Sequence, residues 1–279
     1  MTSFGDRLSH AMDDRGRFCA GIDPHPSLLD DWGLTDSVNG LEKFAMTAVE
    51  AFAGVVGVIK PQSAFFERHG SRGIAVLEQV IAGCRDRGCL VLLDVKRGDI
   101  GTTAQAYADA YLDRNSPLSV DAITVSPYLG VGSLDPMIDT ALANDAGVFV
   151  LALTSNPEGP QVQHALTPDG RSVAGLVLDA VATRNAGAEG LGSVGAVVGA
   201  TVELPSDLGV ANLAVNGPLL VPGIGAQGGT LDDVRRVFGE AARNVLPASS
   251  RELLAAGPDK QMLHAAALRA LDLFQPLAG

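Results

Sequence analysis

Cys89-Leu90-Val91-Leu92-Leu93-Asp94-Val95-Lys96-Arg97-Gly98-Asp99-Ile100-Gly101-Thr102-Thr103 is the stretch whose reading decides the fold. Its first half is an apolar run of the kind that forms a strand buried on both faces, and such strands belong to parallel sheets covered by helices. Opposite charges close the run. On a pleated strand Asp94 and Lys96, two residues apart, point to one side while Leu93 and Val95 point to the other. Ionised groups at a buried strand end cost several kcal/mol each, on the order of the desolvation of one ion, unless they are paired. Lys60 ends a second apolar run, Val55-Val56-Gly57-Val58-Ile59. Asp99 follows a turn at Gly98, from which its carboxylate can return to the same region or reach outward to a neighbouring chain.

Outward from this stretch, apolar runs alternate with helical patterns. Strands are expected at 17–23, 55–60, 90–96, 121–126, 147–153, 193–200, 218–221 and 244–248. Leu41, Phe44, Ala45, Ala48 and Phe52 recur at helical spacing, as do Ile74, Leu77, Val80 and Ile81. Further helices are expected at 103–114, 133–144, 172–185, 230–242 and 259–274, and a short one at 4–14 precedes the first strand. The segment 202–216 gives the weakest pattern. Strict alternation with eight strands predicts a (β/α)8 TIM barrel, α/β in class, built as a single domain over residues 1–279. Chemistry in such barrels sits at the C-terminal ends of the strands. Those ends carry Asp23, Lys60, Asp94 with Lys96, Ser126, Thr154 with Ser155, and a glycine-rich loop from Pro222. Two connections are long: 24–40, which holds the only tryptophan, Trp32, and 154–171, which is either a lid or a surface insertion.

A net charge of −12 argues against nucleic acid as a partner, although a local pocket on an acidic protein can still be positive and take an anionic small molecule. Three cysteines, Cys19, Cys84 and Cys89, lack zinc spacing and are expected to be reduced thiols. The N-terminal residues lack an apolar signal region, and no run reaches the roughly 18 apolar residues of a membrane span, so a cytoplasmic location is the expectation.

An Asp-x-Lys pair on one barrel strand is either an internal ion pair or part of a reactive site. Together with Lys60 and Asp99, two carboxylates and two ammonium groups can alternate in sign, each keeping its neighbour ionised. That leaves a charged lysine available as an acid. Asp99 has an alternative as a helix N-cap. Pro222-Gly223-Ile224-Gly225-Ala226-Gln227-Gly228-Gly229 contains a G-x-G-x-x-G pattern, but a dinucleotide fingerprint belongs to the first βα turn of an open sheet, and this loop follows the seventh strand. Loops after strands seven and eight of barrels often hold phosphate through backbone N–H groups, so a phosphate cradle involving Pro222, Gly223, Gly225 and Gly228 fits better; a plain tight turn is the alternative. Arg251 can supply charge to that phosphate or stand solvated at a helix start. The five histidines show no metal-ligand spacing; His25 beside Asp23 forms either a ligand pair or a rigid loop start. No G-x-S-x-G is present.

Leu93-Asp94-Val95-Lys96-Arg97-Gly98-Asp99-Ile100-Gly101-Thr102-Thr103 resembles the Asp-x-Lys-x-x-Asp signature of the orotidine 5′-phosphate decarboxylases, in particular their longer bacterial subgroup. Gly21-Ile22-Asp23-Pro24-His25-Pro26, Ile59-Lys60-Pro61, Thr154-Ser155-Asn156-Pro157 and the Pro222–Gly229 loop complete the resemblance in family order. The signature alone is shared with related sugar-phosphate barrels; the combination carries the specificity. The resemblance implies decarboxylation of orotidine 5′-phosphate to uridine 5′-phosphate and carbon dioxide, the last step of pyrimidine nucleotide synthesis, without metal or organic cofactor. It assigns Lys60, Asp94, Lys96 and Asp99 to a charged tetrad in which Lys96 protonates C6 and Asp94 lies beside the departing carboxylate. Asp99 and Thr103 would complete the site of a partner subunit, making a homodimer. Asp23 and Lys60 would hold the ribose, Ser155 the pyrimidine edge, and Gln227 with Arg251 the phosphate. The rival enzyme is a magnesium-dependent lyase acting on a keto-sugar phosphate; the rival from another class is a catalytically silent nucleotide sensor.

Overall fold

The computed structural model describes residues 2–225 and 228–277. Eight strands, β1 (Cys19–Ile22), β2 (Val58–Pro61), β3 (Leu90–Arg97), β4 (Ala122–Val125), β5 (Gly147–Leu153), β6 (Val194–Val198), β7 (Leu219–Val221) and β8 (Val245–Ser249), run parallel in chain order and close into a barrel. Cys19 opposite Ala248 and Ala20 opposite Ser249 make the closure. The helices are α1 (Phe4–Arg15), α2 (Pro26–Asp31), α3 (Val38–Phe52), α4 (Ala64–Glu67), α5 (Gly70–Arg85), α6 (Gly101–Leu112), α7 (Asp135–Ala143), α8 (Pro160–Gln163), α9 (Val173–Asn185), α10 (Leu231–Phe238), α11 (Arg251–Leu254) and α12 (Lys260–Phe274). Among the described residues no helix is long and apolar enough to cross a membrane.

Alternation along the strands sorts the apolar residues into two cores. Leu92, Ala122, Phe149, Val197, Leu220 and Leu246 fill the barrel interior, while neighbours such as Val91, Leu93, Ile123 and Val148 face the helices. The interior is plugged at its N-terminal end. Phe4, Leu8 and Met12, spaced along one face of α1, join the interior cluster, and the Phe4 ring meets Phe149 edge-on at 6.1 Å. Gly147 makes room for that ring, since a Cβ there would overlap it. The short helix ahead of β1 is therefore the floor of the barrel.

The weak segment after β6 has its physical counterpart: a 3-10 turn, Val210–Leu213, stands there and no α-helix follows β6 before β7. α10 stops at Phe238, short of the expected 242, because Gly239 takes φ 48° and the chain continues as a 3-10 turn. The 24–40 connection contains α2 and a structural tryptophan. Trp32 is buried, stacks on Phe44 with ring centroids 4.0 Å apart, and its indole N–H donates to the Leu254 carbonyl at 2.9 Å. It rivets this connection to α11. The 154–171 segment folds on itself: the Gln163 side chain accepts from the Thr154 N–H at 2.9 Å and donates to the Thr154 hydroxyl at 2.7 Å.

Phe149→Ala is expected to lower stability by about 3–5 kcal/mol, because it opens a void between barrel and floor that the rigid strands cannot collapse into. Urea unfolding of parent and variant checks this.

Candidate active site

β2 and β3 lie side by side and deliver their polar ends to one point. Lys60 Nζ donates to Asp94 Oδ2 at 3.1 Å, and Lys96 Nζ donates to Asp94 Oδ1 at 2.6 Å. The Gln62 amide adds a bond to Oδ2 at 3.0 Å and the Thr124 hydroxyl one to Oδ1 at 2.7 Å. Four donors saturate one carboxylate. Burial alone would push the Asp94 carboxyl up, but the two ammonium groups and the bonds from Lys96 and Thr124 outweigh it and hold it well below the usual carboxylate range. Burial likewise works against the charge on Lys60, and the Asp94 and Asp23 carboxylates reverse the outcome, so Lys60 is held charged. Beneath them the buried Cys19 thiol is pushed up to about 12, chiefly by burial. All three cysteines are free and buried.

Lys96 meets Asp94 as the spacing predicts, by a different route. Its φ is 45°, a left-handed conformation costing a lysine on the order of 1–3 kcal/mol, and the pairing with β4 slips between Leu93 and Arg97. The pleat is broken there. Thr124 holds the break, accepting from the Val95 N–H at 3.1 Å and the Lys96 N–H at 3.0 Å while donating to Asp94. The Lys96 side chain stays 47% exposed, whereas those of Lys60 and Asp94 are 9% and 7% exposed. One ammonium of the pair therefore opens to the cleft.

The cleft, about 510 Å³, is lined by Asp23, Lys60, Lys96, Pro222, Gly223 and Arg251, all expected from the sequence. Asp23 Oδ1 lies 4.0 Å from Lys60 Nζ and, though buried, accepts no hydrogen bond from the described residues. Buried Ser250 Oγ, also on the lining, is likewise unpartnered. Arg251 forms no ion pair with a carboxylate among the described residues. The glycine loop turns through φ values of 92°, 69° and 87° at Gly223, Gly225 and Gly228, conformations that exclude other residues at little cost only for glycine. The N–H groups of Gly225, Gly228 and Gly229 bond within the loop, to the carbonyls of Gly229, Gly225 and Gly223. The part that faces the cleft is thus Pro222, Gly223 and Ile224. Gln227 lies outside the described residues.

Asp99 does not join the other three charges in this chain. It is half-buried, lies off the cleft lining, and accepts from the N–H of Ile100 at 2.8 Å. The capping alternative fails as well, for the N-cap of α6 is Ile100 and no side chain caps that helix. Thr103, in the first turn of α6, is exposed, as is Ser155 in the loop after β5, and neither lines the cleft. Sequence reasoning missed Gln62, Thr124, Ser250 and Phe65. The one signal for Thr124 was a lone hydroxyl in the otherwise apolar run Ala122-Ile123-Thr124-Val125. His25 also lines the cleft, edge-on to Phe65 at 4.3 Å; burial lowers its affinity for a proton, with Asp23 opposing and Arg251 reinforcing that effect.

A closed eight-stranded barrel whose charged cleft sits at the C-terminal strand ends defines a (β/α)8-barrel enzyme. The sequence model of the orotidine 5′-phosphate decarboxylase / HUMPS family matches residues 16–266, and the chain belongs to that family. An orotidine 5′-phosphate decarboxylase of Salinispora arenicola is 63% identical over 272 residues, covering 97% of this chain and 96% of that protein. One from Streptomyces coelicolor is 59% identical over 269 residues, covering 96% of each. A solved structure from Streptomyces avermitilis superposes with a TM-score of 0.95 at 57% identity, covering 100% of this chain and 96% of that one. The orotidine 5′-phosphate decarboxylase of Leishmania donovani gives a TM-score of 0.76 at 30% identity, covering 99% of both.

Because Asp94 is ionised more readily when folded than unfolded, the stability it contributes is present above its ordinary pKa of 3.8 and is lost as pH falls toward its depressed native value. Asp94→Asn leaves Lys60 buried without its main counter-charge, so a loss of about 3–5 kcal/mol is expected at neutral pH. The gap between parent and variant should narrow as pH drops below about 4, which denaturant unfolding at a series of pH values measures.

Proposed function

We propose that this chain converts orotidine 5′-phosphate to uridine 5′-phosphate and carbon dioxide, the closing step of pyrimidine nucleotide synthesis, with Lys96 as the proton donor. One observation carries the proposal: a carboxylate saturated by two lysines at the mouth of the barrel, with one of those lysines half-exposed to a nucleotide-sized cleft. Loss of carbon dioxide from an sp² ring carbon leaves the bonding electron pair localised on C6, and the ring cannot readily spread it. Stabilisation toward the upper end of the enzymatic range, roughly 20 kcal/mol, is needed. A fixed ammonium beside C6 stabilises the growing charge as the C–C bond breaks, then transfers its proton to the carbon. Lys96 is left as a neutral amine and regains its proton from water. Asp94 anchors the Lys96 ammonium through the 2.6 Å hydrogen bond and lies beside the departing carboxylate.

Asp23 and Lys60 suit the ribose, and the unpartnered oxygen of Asp23 supports a hydroxyl donor there. Arg251, with Pro222 and Gly223 on the same lining, suits the phosphate; Ser155 suits the pyrimidine edge once the 154–171 segment closes. Binding the phosphate far from C6 contributes by fixing the ring. Asp99 is half-buried off the cleft with Ile100 and Thr103 exposed after it, and Tyr128 and Leu129 beyond β4 are exposed apolar side chains, which supports a second copy of the chain covering them and receiving Asp99 into its own site. The unit would then be a cytoplasmic homodimer.

Purified protein should consume orotidine 5′-phosphate, followed by its ultraviolet absorbance, in excess EDTA. Dependence on added magnesium would favour a keto-sugar phosphate lyase, and tight uridine 5′-phosphate binding without turnover would favour a sensor. Lys96→Ala is expected to lower kcat by about 10⁴-fold or more, from the combined loss of acid and charge. Its circular dichroism should match the parent, and near-normal turnover would refute the role.

A further inference from the structure

Arg97 follows Lys96 directly yet does not line the cleft. Its guanidinium turns away from the barrel mouth and donates to Glu67 Oε1 at 2.6 Å and to the Val95 carbonyl at 3.4 Å, 5.6 Å from the ring centroid of Tyr107. The same Glu67 oxygen accepts from the hydroxyl of Ser63 at 2.6 Å, and the Ser63 N–H donates to the main-chain carbonyl of Asp94 at 3.2 Å. Three elements meet at this one ion pair. Glu67 ends α4, which follows the strand carrying Lys60; Arg97 ends the strand carrying Asp94 and Lys96; Tyr107 belongs to α6, whose first turn follows Asp99. Gly98 leaves no slack beyond the junction, for a Cβ there would run into the Ser126 carbonyl, and Ser126 donates back to the Arg97 carbonyl at 2.8 Å.

The left-handed conformation of Lys96 needs such bracing. A non-glycine residue at positive φ persists only when its surroundings over-determine it. Thr124 restrains the Val95 and Lys96 amides from inside the barrel, and Arg97 donates to the Val95 carbonyl between them. We propose that Arg97, locked by Glu67, is a positioning residue for Lys96: from the outer face of the barrel it clamps the main chain on either side of Lys96 and so fixes where the ammonium stands relative to Asp94 and the reacting carbon.

This inference rests on the proposed decarboxylation, and the parent enzyme's turnover of orotidine 5′-phosphate is the control that separates the two. If the parent is inactive, the functional proposal fails; if it is active, the variants decide. A displacement of about 1 Å in a catalytic group costs on the order of 100-fold, so Arg97→Met is expected to lower kcat by about 10- to 100-fold. Uridine 5′-phosphate affinity and KM should hold, since no cleft residue is removed. Arg97→Lys, which keeps the pair with Glu67 but loses the fork to Val95, should recover part of the loss. Glu67→Gln added to Arg97→Met should cost little more, because both act through one contact. Should Arg97→Met fail to fold, Glu67→Gln alone must show the same loss of kcat at unchanged affinity. Unchanged kcat in the folded variants, a loss confined to KM or product affinity, or simple additivity of the two substitutions would each overturn the role.

Discussion

Everything at the mouth of this barrel depends on the charge balance around the Asp94 carboxylate. Taken singly, Lys60, Asp94 and Asp23 would each be costly to bury, by several kcal/mol per ion. Held together they sustain one another, with Lys60 between two carboxylates and Asp94 between two ammonium groups. Adding Lys96, the four charges cancel, and Arg251 tips the cleft positive on a chain whose net charge is −12. The molecule as a whole repels anions while one concavity invites them. The geometry comes from the sheet: parallel strands in fixed register place Lys60 and Asp94 side by side, and Asp23, the first residue past β1, follows within a few ångströms of Lys60.

Much of this was legible beforehand, for physical reasons that differ by residue. Buried strands announce themselves as apolar runs, and a charge ending such a run has few innocent explanations, which is why Lys60, Asp94 and Lys96 stood out. The eight strands and their closure followed from counting. Gln62 and Thr124 did not stand out, because a neutral polar residue in or beside a strand is common and its importance depends on which neighbour it reaches. The broken pleat at Lys96 was invisible for a related reason: alternation gave the correct partner while assuming a regular strand, and only the slipped pairing with β4 exposes the left-handed backbone. Trp32 could not be placed because its partner, the Leu254 carbonyl, lies 222 positions away. Asp99 was grouped with the tetrad by resemblance, and within a single chain it stands apart.

The two faces of β3 divide the labour between chemistry and restraint. Inward and upward it presents the ions that meet a ligand; outward it is tied through Arg97, Glu67 and Ser63 to its flanking helices. A strained residue placed between two such sets of restraints keeps its energy in the folded state without relaxing. The same strand also carries the packing between the interior core and the helical layer, through Leu92 on one side and Val91 and Leu93 on the other.

Closure of β8 onto β1 has a consequence for the chain as it is made. Asp23 is synthesised long before Arg251, so the cleft does not exist until the chain through β8 and α11 has been made. Until β8 docks, the open edge of β1 and the apolar barrel lumen face solvent, a state of high contact order and slow completion that is prone to aggregate. The early-synthesised floor, with Phe4 seated against Phe149 as soon as β5 is in place, shields part of that lumen during the wait.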